Sequence, residues 1–405
     1  MAALAALGAL PVPQIFATME EGPITGGTNP GEAWLESHGR SLGHFVDGSW
    51  LKPPGRSRLE CPEAATGRAV AAVPAGDSSD LAVAVAAAAA ASEAWAGLGG
   101  PRRGQCLTRL AAVLESDRGA VLGALLAVAG GRPLCRTLGA DLGLGLRLLR
   151  APAAGVQLGP PGLEGWTPLG VVALVLGGPC SLPTLLWKLG PLLAMGNTVV
   201  VLAPPAAAPP LLLLGELSGE GAALPPGVLN VLAGPPGLCR ALRDHPEVTG
   251  VTFLGAAQLP WGGCVVLAQD SVAAALERRV RARLEGLRPG DPTDPKTDLG
   301  PLPPGTLPPE ELLREAKEEG AQVFQAALPP LPEGRGRRFF PPTLISGVAP
   351  TSRCLRDHPA PGPLVVLLPV RGPPEAVAVA SALPRTAAAA VWAQDITAAL
   401  DTADR

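Results

Sequence analysis

The stretch from Gly170 to Ala206, GVVALVLGGPCSLPTLLWKLGPLLAMGNTVVVLAPPA, is a long, mainly apolar segment with a single charged residue, Lys188. A membrane-spanning helix needs about 20 apolar residues, and this stretch is long enough. Proline and glycine interrupt it repeatedly, however, and each proline removes a helix hydrogen bond that lipid cannot replace. Short apolar segments between such residues are typical of parallel strands buried on both faces. The stretch therefore predicts a buried sheet and no membrane span.

The order of segments around this stretch predicts a doubly wound sheet. Strand-like and helix-like segments alternate, and alternation of this kind favours a parallel sheet with right-handed crossovers, which is a Rossmann-like arrangement. We expect strands at 170–176, 198–203, 227–234 and 248–255, and helices at 78–97, 101–117, 119–150, 182–196 and 237–246.

A second alternation begins near Trp261 and predicts a further α/β domain. We expect a strand at CVVLAQD, a helix at SVAAALERRVRARLEGL, capped by Ser271, and a surface helix at LPPEELLREAKEEG, followed by AQVFQAAL. The segments FFPPTLISG, GPLVVLLPV, EAVAVASAL and AAAAVWAQD then predict another strand–helix–strand alternation. The chain of 405 residues exceeds the usual size of one compact domain, which also predicts two.

Composition excludes several classes of protein. A hydrophobic fraction of 47% with 17% charged residues fits a globular core, and the net charge of −3 argues against a nucleic-acid partner. The 51 glycines and 48 prolines are interpreted as biased codon usage and proline-rich loops. Seven scattered cysteines without a C-x-x-C pair argue against a disulfide framework and a metal site, and favour the cytoplasm. The N-terminus has no Lys or Arg before its short apolar core, unlike a signal peptide.

Ten sequence blocks in register resemble the aldehyde dehydrogenase superfamily, from about His44 to the end of the chain. They include HFVDGSW, PLGVVALVL, WKLGPLLAMGNTVVVLAPPA, LPPGVLNVLAG, HPEVTGVTFLG and GLRPGDPTDPKTDLGPL. Within the superfamily, QIFATMEEGPI, LGHFVDGSWLKP and EGAQVFQA look most like family 16. Members of that family usually carry a second, partial copy of the fold. The resemblance implies that this chain is the first copy, internally shortened and C-terminally truncated.

The resemblance implies an N-terminal extension at 1–40, a dinucleotide-binding domain at 41–257 and a partial catalytic domain at 258–405. It also implies oxidation of an aldehyde with NAD or NADP, and family members oligomerise. In such enzymes a cysteine thiolate attacks the carbonyl, an Asn amide holds the oxyanion, and a Glu activates the water that releases the acyl group.

The catalytic positions of the family are replaced in this chain. Pro179 stands where the resemblance places the oxyanion Asn, and the neighbouring Cys180 is interpreted as a small buried thiol rather than a relocated nucleophile. The segment with the general-base Glu and the catalytic Cys is missing between Gly255 and Trp261. Cys264 falls a few residues too late and is interpreted as a buried strand cysteine.

The cofactor positions are equally altered. Leu202 and Pro205, with Pro204 between the strand and Pro205, stand where the ribose-binding Lys and Glu are expected. In the phosphate turn Gly255 remains, but Ala256 replaces a hydroxyl residue.

A third cofactor position is also replaced, and the four histidines do not supply a catalytic base. Pro359 replaces the Glu that holds the nicotinamide ribose, so we expect NAD or NADP to bind weakly or not at all. His44 and His245 are expected in motif loops and His38 and His358 near charged turns, so they form no substitute base set.

These replacements predict a non-catalytic member of the family that acts through protein contacts. Two alternatives stay open. One is an active dehydrogenase with a displaced nucleophile, Cys264 or Cys180, and the other is an incomplete splice or gene product.

Overall fold

The computed structural model describes residues 30–159, 165–255, 265–294, 296–303, 309–328, 339–356, 363–383 and 389–404. The chain forms two compact units. The first comprises Met1–Ala256 together with Gly290–Pro304, and the second comprises Ala257–Pro289 together with Gly305–Arg405.

A six-stranded sheet organises the first unit, in the order β2-β1-β7-β6-β5-β8. The strands β7, β6, β5 and β8 run parallel, and β1 joins β7 in the antiparallel sense. A separate antiparallel pair is formed by β3 and β4. The bounds are β1 His44–Val46, β2 Ser49–Leu51, β3 Arg58–Pro62, β4 Ala69–Pro74, β5 Val171–Leu176, β6 Thr198–Ala203, β7 Leu229–Ala233 and β8 Val248–Leu254.

The central strands are buried because their sequences hold almost no polar side chains. Every residue of β5, β6 and β7 is buried, which matches the VVALVL and TVVVLA segments. The predicted Rossmann-like parallel sheet and the α/β fold class are therefore confirmed.

Helices cover both faces of this sheet. They are α1 Pro30–Ser37, α2 Ser78–Gly97, α3 Gly99–Glu115, α4 Asp117–Gly130, α5 Leu142–Leu158, α6 Leu182–Ala194, α7 Ala208–Gly219 and α8 Leu238–Arg243. No single helix of the described ranges is long and apolar enough to span a membrane, although α2 and α3, which meet at 117°, pass that test together.

The prediction of a single helix at 119–150 is wrong, because the helix is interrupted after α4. Gly131 adopts a left-handed conformation with φ 74°, which ends the helix, and Pro133 lacks an N–H that could continue it. The chain then resumes with a short turn at Leu134–Arg136 and a wider π-helical turn at Thr137–Asp141 before α5.

Residues 290–303, which we call the strap, pack on this break. The N–H of Leu134 donates to the carbonyl of Pro292 at 2.7 Å, and the Cys135 thiol lies 3.4 Å from the carbonyl oxygen of Thr297. The domain expected at 258–405 includes the strap, but in the structure the strap belongs to the first unit. A loop without apolar periodicity gives no sequence signal for the surface that it covers.

The second unit contains a four-stranded sheet in the order β10-β11-β12-β9, in which only β10 is antiparallel. Its elements are β9 Val265–Gln269, α9 Asp270–Glu285, α10 Glu310–Glu318, β10 Gln322–Gln325, β11 Thr343–Ser346, α11 Arg353–Arg356, β12 Leu364–Val370, α12 Pro373–Ala382 and α13 Ile396–Ala403.

Two expectations for the second unit are wrong. Ser271 does not cap α9, because the helix already begins at Asp270. The AAAAVWAQD segment forms no strand over its described residues 389–395, and the chain enters α13 instead. The side chain of Asp395 accepts a hydrogen bond from the N–H of Thr397, which favours a helix start over strand pairing.

Candidate functional site

The carboxyl ends of the parallel strands define the candidate site, since ligands of doubly wound sheets bind at that edge. Four loops leave the sheet there: 177–181 after β5, 204–206 after β6, 234–237 after β7, and the loop after β8, which is described only at Gly255. The described residues read GGPCS, PPA, GPPG and G. They carry no charged or amide side chain, and their single hydroxyl, that of Ser181, lies 2.8 Å from Oγ1 of Thr184 at the start of α6.

The loop after β5 encloses a small apolar pocket. Pro179 is buried and Cys180 is half-buried, and together they line a space of about 10 Å³. The other side chains around it are Leu122, Leu126, Ala129, Leu182, Leu185, Ala207, Pro210 and Leu211. A space of this size holds about one water molecule, so it does not admit an aldehyde.

The thiol of Cys180 is poorly suited to nucleophilic attack. Burial raises its pKa to about 12, so the neutral thiol dominates at neutral pH. The thiolate is the reactive form, and catalytic cysteines therefore have lowered pKa values. The apolar lining supplies no base to remove the proton.

Leu202 belongs to the hydrophobic core and not to a ligand surface. Its side chain is 3% exposed and packs in a cluster that includes Leu81 and Leu238. Pro204 follows β6, and Pro205 opens a short 3-10 turn at Pro205–Ala207. None of these three side chains can accept or donate a hydrogen bond to a ribose hydroxyl.

The first two N–H groups of α8, which follows the loop after β7, are already bonded within that loop. The N–H of Leu238 donates to the carbonyl of Pro235 and that of Cys239 to the carbonyl of Pro236, each at 3.1 Å. Leu238 also fills the space beside Gly234, where a Cβ would lie 2.5 Å from its Cδ1. Those two N–H groups and the space beside Gly234 are therefore not open to a pyrophosphate.

The end of β8 is described only as far as Gly255, which is exposed. The carbonyl of Leu254 accepts a hydrogen bond from the N–H of Gly177 at 2.8 Å. Ala256, Cys264 and Pro359 lie outside the described residues. The expectations for those three positions stay predictions.

A buried polar cluster beside the end of β7 was missed by sequence reasoning. His44 lies in β1 and not in a loop, and it is completely buried. Its Nδ1 accepts a hydrogen bond from the N–H of Ala233 at 3.2 Å, which places the proton of the neutral ring on Nε2. The Nε2 atom has no hydrogen-bond partner and lies 3.7 Å from Oδ2 of Asp80.

Asp80 links this histidine to a surface arginine. Its Oδ2 accepts from the N–H of Asp77 at 3.1 Å, within the capping box of α2, and from Nε of Arg56 at 3.2 Å. Burial lowers the pKa of His44, and the nearby carboxylate of Asp80 opposes that shift.

The cluster of His44, Asp80 and Arg56 is closed to a substrate. A Cβ at Gly76 would lie 3.2 Å from Cε1 of His44, so the backbone packs directly on the ring. The only sequence signals for the cluster were the HFVDGSW block and the acidic start of α2. We interpret the cluster as structural.

No metal centre is found among the residues that the structure describes. No group of three or more His, Cys, Asp or Glu side chains is placed to hold an ion there. Cys61, Cys106, Cys135, Cys180 and Cys239 are free thiols.

Solved structures share this fold over nearly the whole chain. An aldehyde dehydrogenase from Bacillus cereus, solved as an NAD⁺ complex, matches with a TM-score of 0.76 and 21% identity, over 92% of this chain and 88% of that one. The aldehyde dehydrogenase KauB from Pseudomonas aeruginosa matches with a TM-score of 0.75 and 24% identity, over 92% and 89%.

Sequence relatives agree. Hydroxyisobutyraldehyde dehydrogenase of Mycolicibacterium austroafricanum is 30% identical over 89% of this chain and 83% of the relative. Betaine aldehyde dehydrogenase 2 of Rhizobium meliloti is 25% identical over 87% and 85%. The model of the aldehyde dehydrogenase family matches residues 50–260 and 256–405. The chain therefore belongs to the aldehyde dehydrogenase family.

Proposed function

We propose that this chain keeps the aldehyde dehydrogenase fold without oxidising aldehydes, and that it acts through protein contacts. The observation that carries the proposal is the chemistry of the four loops at the carboxyl edge of the sheet. Their described residues are Gly, Pro, Ala, one Cys and one Ser, whose hydroxyl caps α6, in the part of the fold where ligands bind.

The loop after β5 gives the most direct support for the proposal that the chain does not oxidise aldehydes. An oxyanion needs an aimed hydrogen-bond donor, and losing one such donor lowers the rate by about 10²–10³. Pro179 offers no donor from its side chain or its backbone nitrogen. The pKa of about 12 at Cys180 argues further against the alternative in which that thiol is a displaced nucleophile.

The junction of the two family-model matches supports the same proposal. The matched stretches overlap at residues 256–260 instead of running through as one. This is where the resemblance to the family places the missing general-base Glu and catalytic Cys. The same break also favours the second candidate, an incomplete splice or gene product whose longer form carries the function.

For the cofactor we propose weak or absent binding of NAD and NADP. Leu202 is in the core, Pro204 and Pro205 lack donors, and the N–H groups that open α8 are already bonded to the Pro235 and Pro236 carbonyls. Buried hydroxyls and phosphates would lose water without gaining partners.

Within the aldehyde dehydrogenases, we propose that the chain belongs to family 16 and is most like member A1. We also propose that it is located in the cytoplasm. The support is the LGHFVDGSWLKP and EGAQVFQA segments, with QIFATMEEGPI, which lies outside the described residues. The free thiols at the described cysteines favour a reducing compartment.

The test is formation of NADH or NADPH from acetaldehyde, hexanal and benzaldehyde, followed by absorbance on protein with a verified circular dichroism spectrum. We expect rates equal to those of a blank without protein. Turnover that Cys180→Ala or Cys264→Ala abolishes would overturn the proposal. Sequencing the transcript across Ala256 to Trp261 separates the second candidate, because an incomplete product requires a longer transcript with the missing segment.

A further inference from the structure

The outward surface of the helices α3 and α5 is basic. Its exposed charged residues are Arg102 and Arg109 on α3 and Arg147 and Arg150 on α5, against the single acid Glu115, which pairs with Arg150. We call the surface with these five residues the α3/α5 face. The whole chain has a net charge of −3, so the positive charge is a local feature that attracts anionic groups.

Most of the guanidinium groups on this face keep hydrogen-bond donors for an outside partner. Neither Arg102 nor Arg147 has a hydrogen bond or an ion pair with any residue that the structure describes. Arg109 donates one N–H to the carbonyl of Ala222 at 3.3 Å and is otherwise exposed. A guanidinium has five N–H donors and no acceptor, so the partner that satisfies these groups is anionic.

Glycines bring the backbones of α3 and α5 into contact. A Cβ on Gly100 would lie 2.1 Å from the carbonyl oxygen of Val156, and one on Gly104 would lie 2.4 Å from that of Ala153. Higher residue numbers on α3 meet lower numbers on α5, so the helices run antiparallel. An antiparallel pair of this kind presents the surface on which a further helix packs in helical bundles.

The arginines of the α3/α5 face lie at two heights along this pair. Arg102 and Arg109 are seven residues apart, which is about two helical turns and about 10 Å along α3. Because the helices are antiparallel, Arg147 on α5 lies at about the height of Arg109. A helix that lies along the pair therefore meets positive charge twice, two turns apart.

The other exposed side chains of α5 leave room for such a helix. Ala151 and Ala154 are exposed and small, so a helix can approach closely. Leu158 ends α5 and is 86% exposed, so a partner that covers it also gains apolar contact.

We propose that the α3/α5 face binds an acidic helix of another protein. Carboxylates seven residues apart on that helix pair with Arg102 at one height and with Arg109 and Arg147 at the other. The inference deepens the proposed function and rests on it in one respect, namely that the chain acts through protein contacts.

Other anionic occupants fit the face less well. Leu158 is the only large apolar side chain exposed on α3 and α5, whereas peripheral membrane binding uses a row of them. Neither helix has an exposed aromatic side chain on which a nucleic-acid base could stack. A second copy of this chain could offer α10, where Glu311 and Glu318 are seven residues apart, but Arg314 already pairs with both.

Fluorescence anisotropy of a labelled peptide with the full chain tests the proposal. The peptide is a helix of about 20 residues of alanine, glutamine and leucine, with glutamate at every seventh position. We expect saturable binding that weakens as salt is added. A peptide of the same composition with its glutamates on different faces of the helix is the control and should bind about fivefold more weakly. Equal binding of the two peptides, no binding at low salt, or tighter binding to phosphatidylserine vesicles would overturn the proposal.

A pair of substitutions locates the binding. Arg102→Gln combined with Arg147→Gln should weaken binding of the peptide about fivefold or more, because an ion pair is lost at each height. The matched control is Arg240→Gln combined with Arg243→Gln, which changes the net charge equally on α8, on the opposite face of the sheet. Equal weakening by the two pairs would show that only overall charge matters, and the proposal would be wrong.

Charge reversal gives a test that does not depend on a loss of binding. The variant with Arg102→Glu and Arg147→Glu should prefer a peptide in which lysine replaces every glutamate, and an unchanged preference would contradict the proposal. Aldehyde turnover is measured on the same samples. Turnover would overturn the proposed function and leave the binding result standing, whereas a failure of peptide binding would leave the absence of turnover standing.

Discussion

The Nε2 of His44 and the Oδ2 of Asp80 lie 3.7 Å apart, and no described residue completes a hydrogen bond to that nitrogen. The separation is too long for a hydrogen bond. A buried, unsatisfied N–H is costly, and a buried imidazolium would cost more. The first unit therefore holds His44 in its neutral form.

The first prediction follows from that neutral state. Because burial lowers the pKa of His44 in the folded chain, the unfolded chain binds the extra proton first as pH falls below the ordinary value of 6.5. The free energy of unfolding should therefore be highest above pH 6.5 and decrease on acidification, until the folded state also takes up the proton. Urea unfolding at pH 7.5 and 5.5 measures this decrease. His44→Gln, which cannot be protonated, should show a smaller one, and an unchanged pH dependence would contradict the assignment.

The second prediction concerns the acid of the same cluster. Asp80→Ala removes the acceptor for the Asp77 N–H and leaves Arg56 without its buried partner, so we expect a loss of about 2 kcal/mol or more. Urea unfolding at constant pH is the measurement. Glu93→Ala, at an exposed position of the same helix, is the control and should change little. A loss no greater than that of the control would show that the cluster does not stabilise the fold.

The third prediction concerns the cofactor. Isothermal titration of the folded chain with NAD and with NADP should give dissociation constants of about 1 mM or weaker, because the described loops offer no charged or amide side chain to the hydroxyls and phosphates. The same titration on an active member of the family is the control for the ligand solutions. Micromolar binding of either nucleotide would refute the prediction.

The fourth prediction tests the strap. A Cβ on Gly300 would lie 1.7 Å from the carbonyl oxygen of Gly131, so Gly300→Ala must displace backbone and should cost about 1–3 kcal/mol. Gly155→Ala is the matched control, because that position in α5 has open space and alanine favours the helix. Thermal unfolding compares the two. If both variants melt together with the wild type, the strap is not bound to the first unit.

Sequence alone predicted the parallel sheet because its strands are nearly continuous apolar segments. Val171–Leu176 and Thr198–Ala203 could be assigned without tertiary information, since both faces of each strand are buried. The helix predicted at 119–150 failed at Gly131 and Pro133, where backbone conformation outweighs apolar periodicity. Glycine and proline are visible in the sequence, but only the backbone conformation at Gly131 shows that the helix ends there.

The candidate site could also be predicted in part. Proline, glycine and leucine have no polar side-chain atoms, so the sequence alone predicts that the loops at Pro179 and Pro204 are apolar. The contact of His44 with Asp80 could not be predicted in this way. The two residues belong to different elements, and only the packing of β1 against β7 and α2 brings them together.

The path of the chain has a consequence for synthesis. It leaves the first unit after Ala256, returns at Gly290 and leaves again after Pro304. When residue 256 emerges from the ribosome, the amide of Leu134 and the backbone at Gly131 still lack the strap that will cover them. At about 5–20 residues per second, the strap follows only several seconds later. The first unit is therefore begun first but finished only after part of the second has been made.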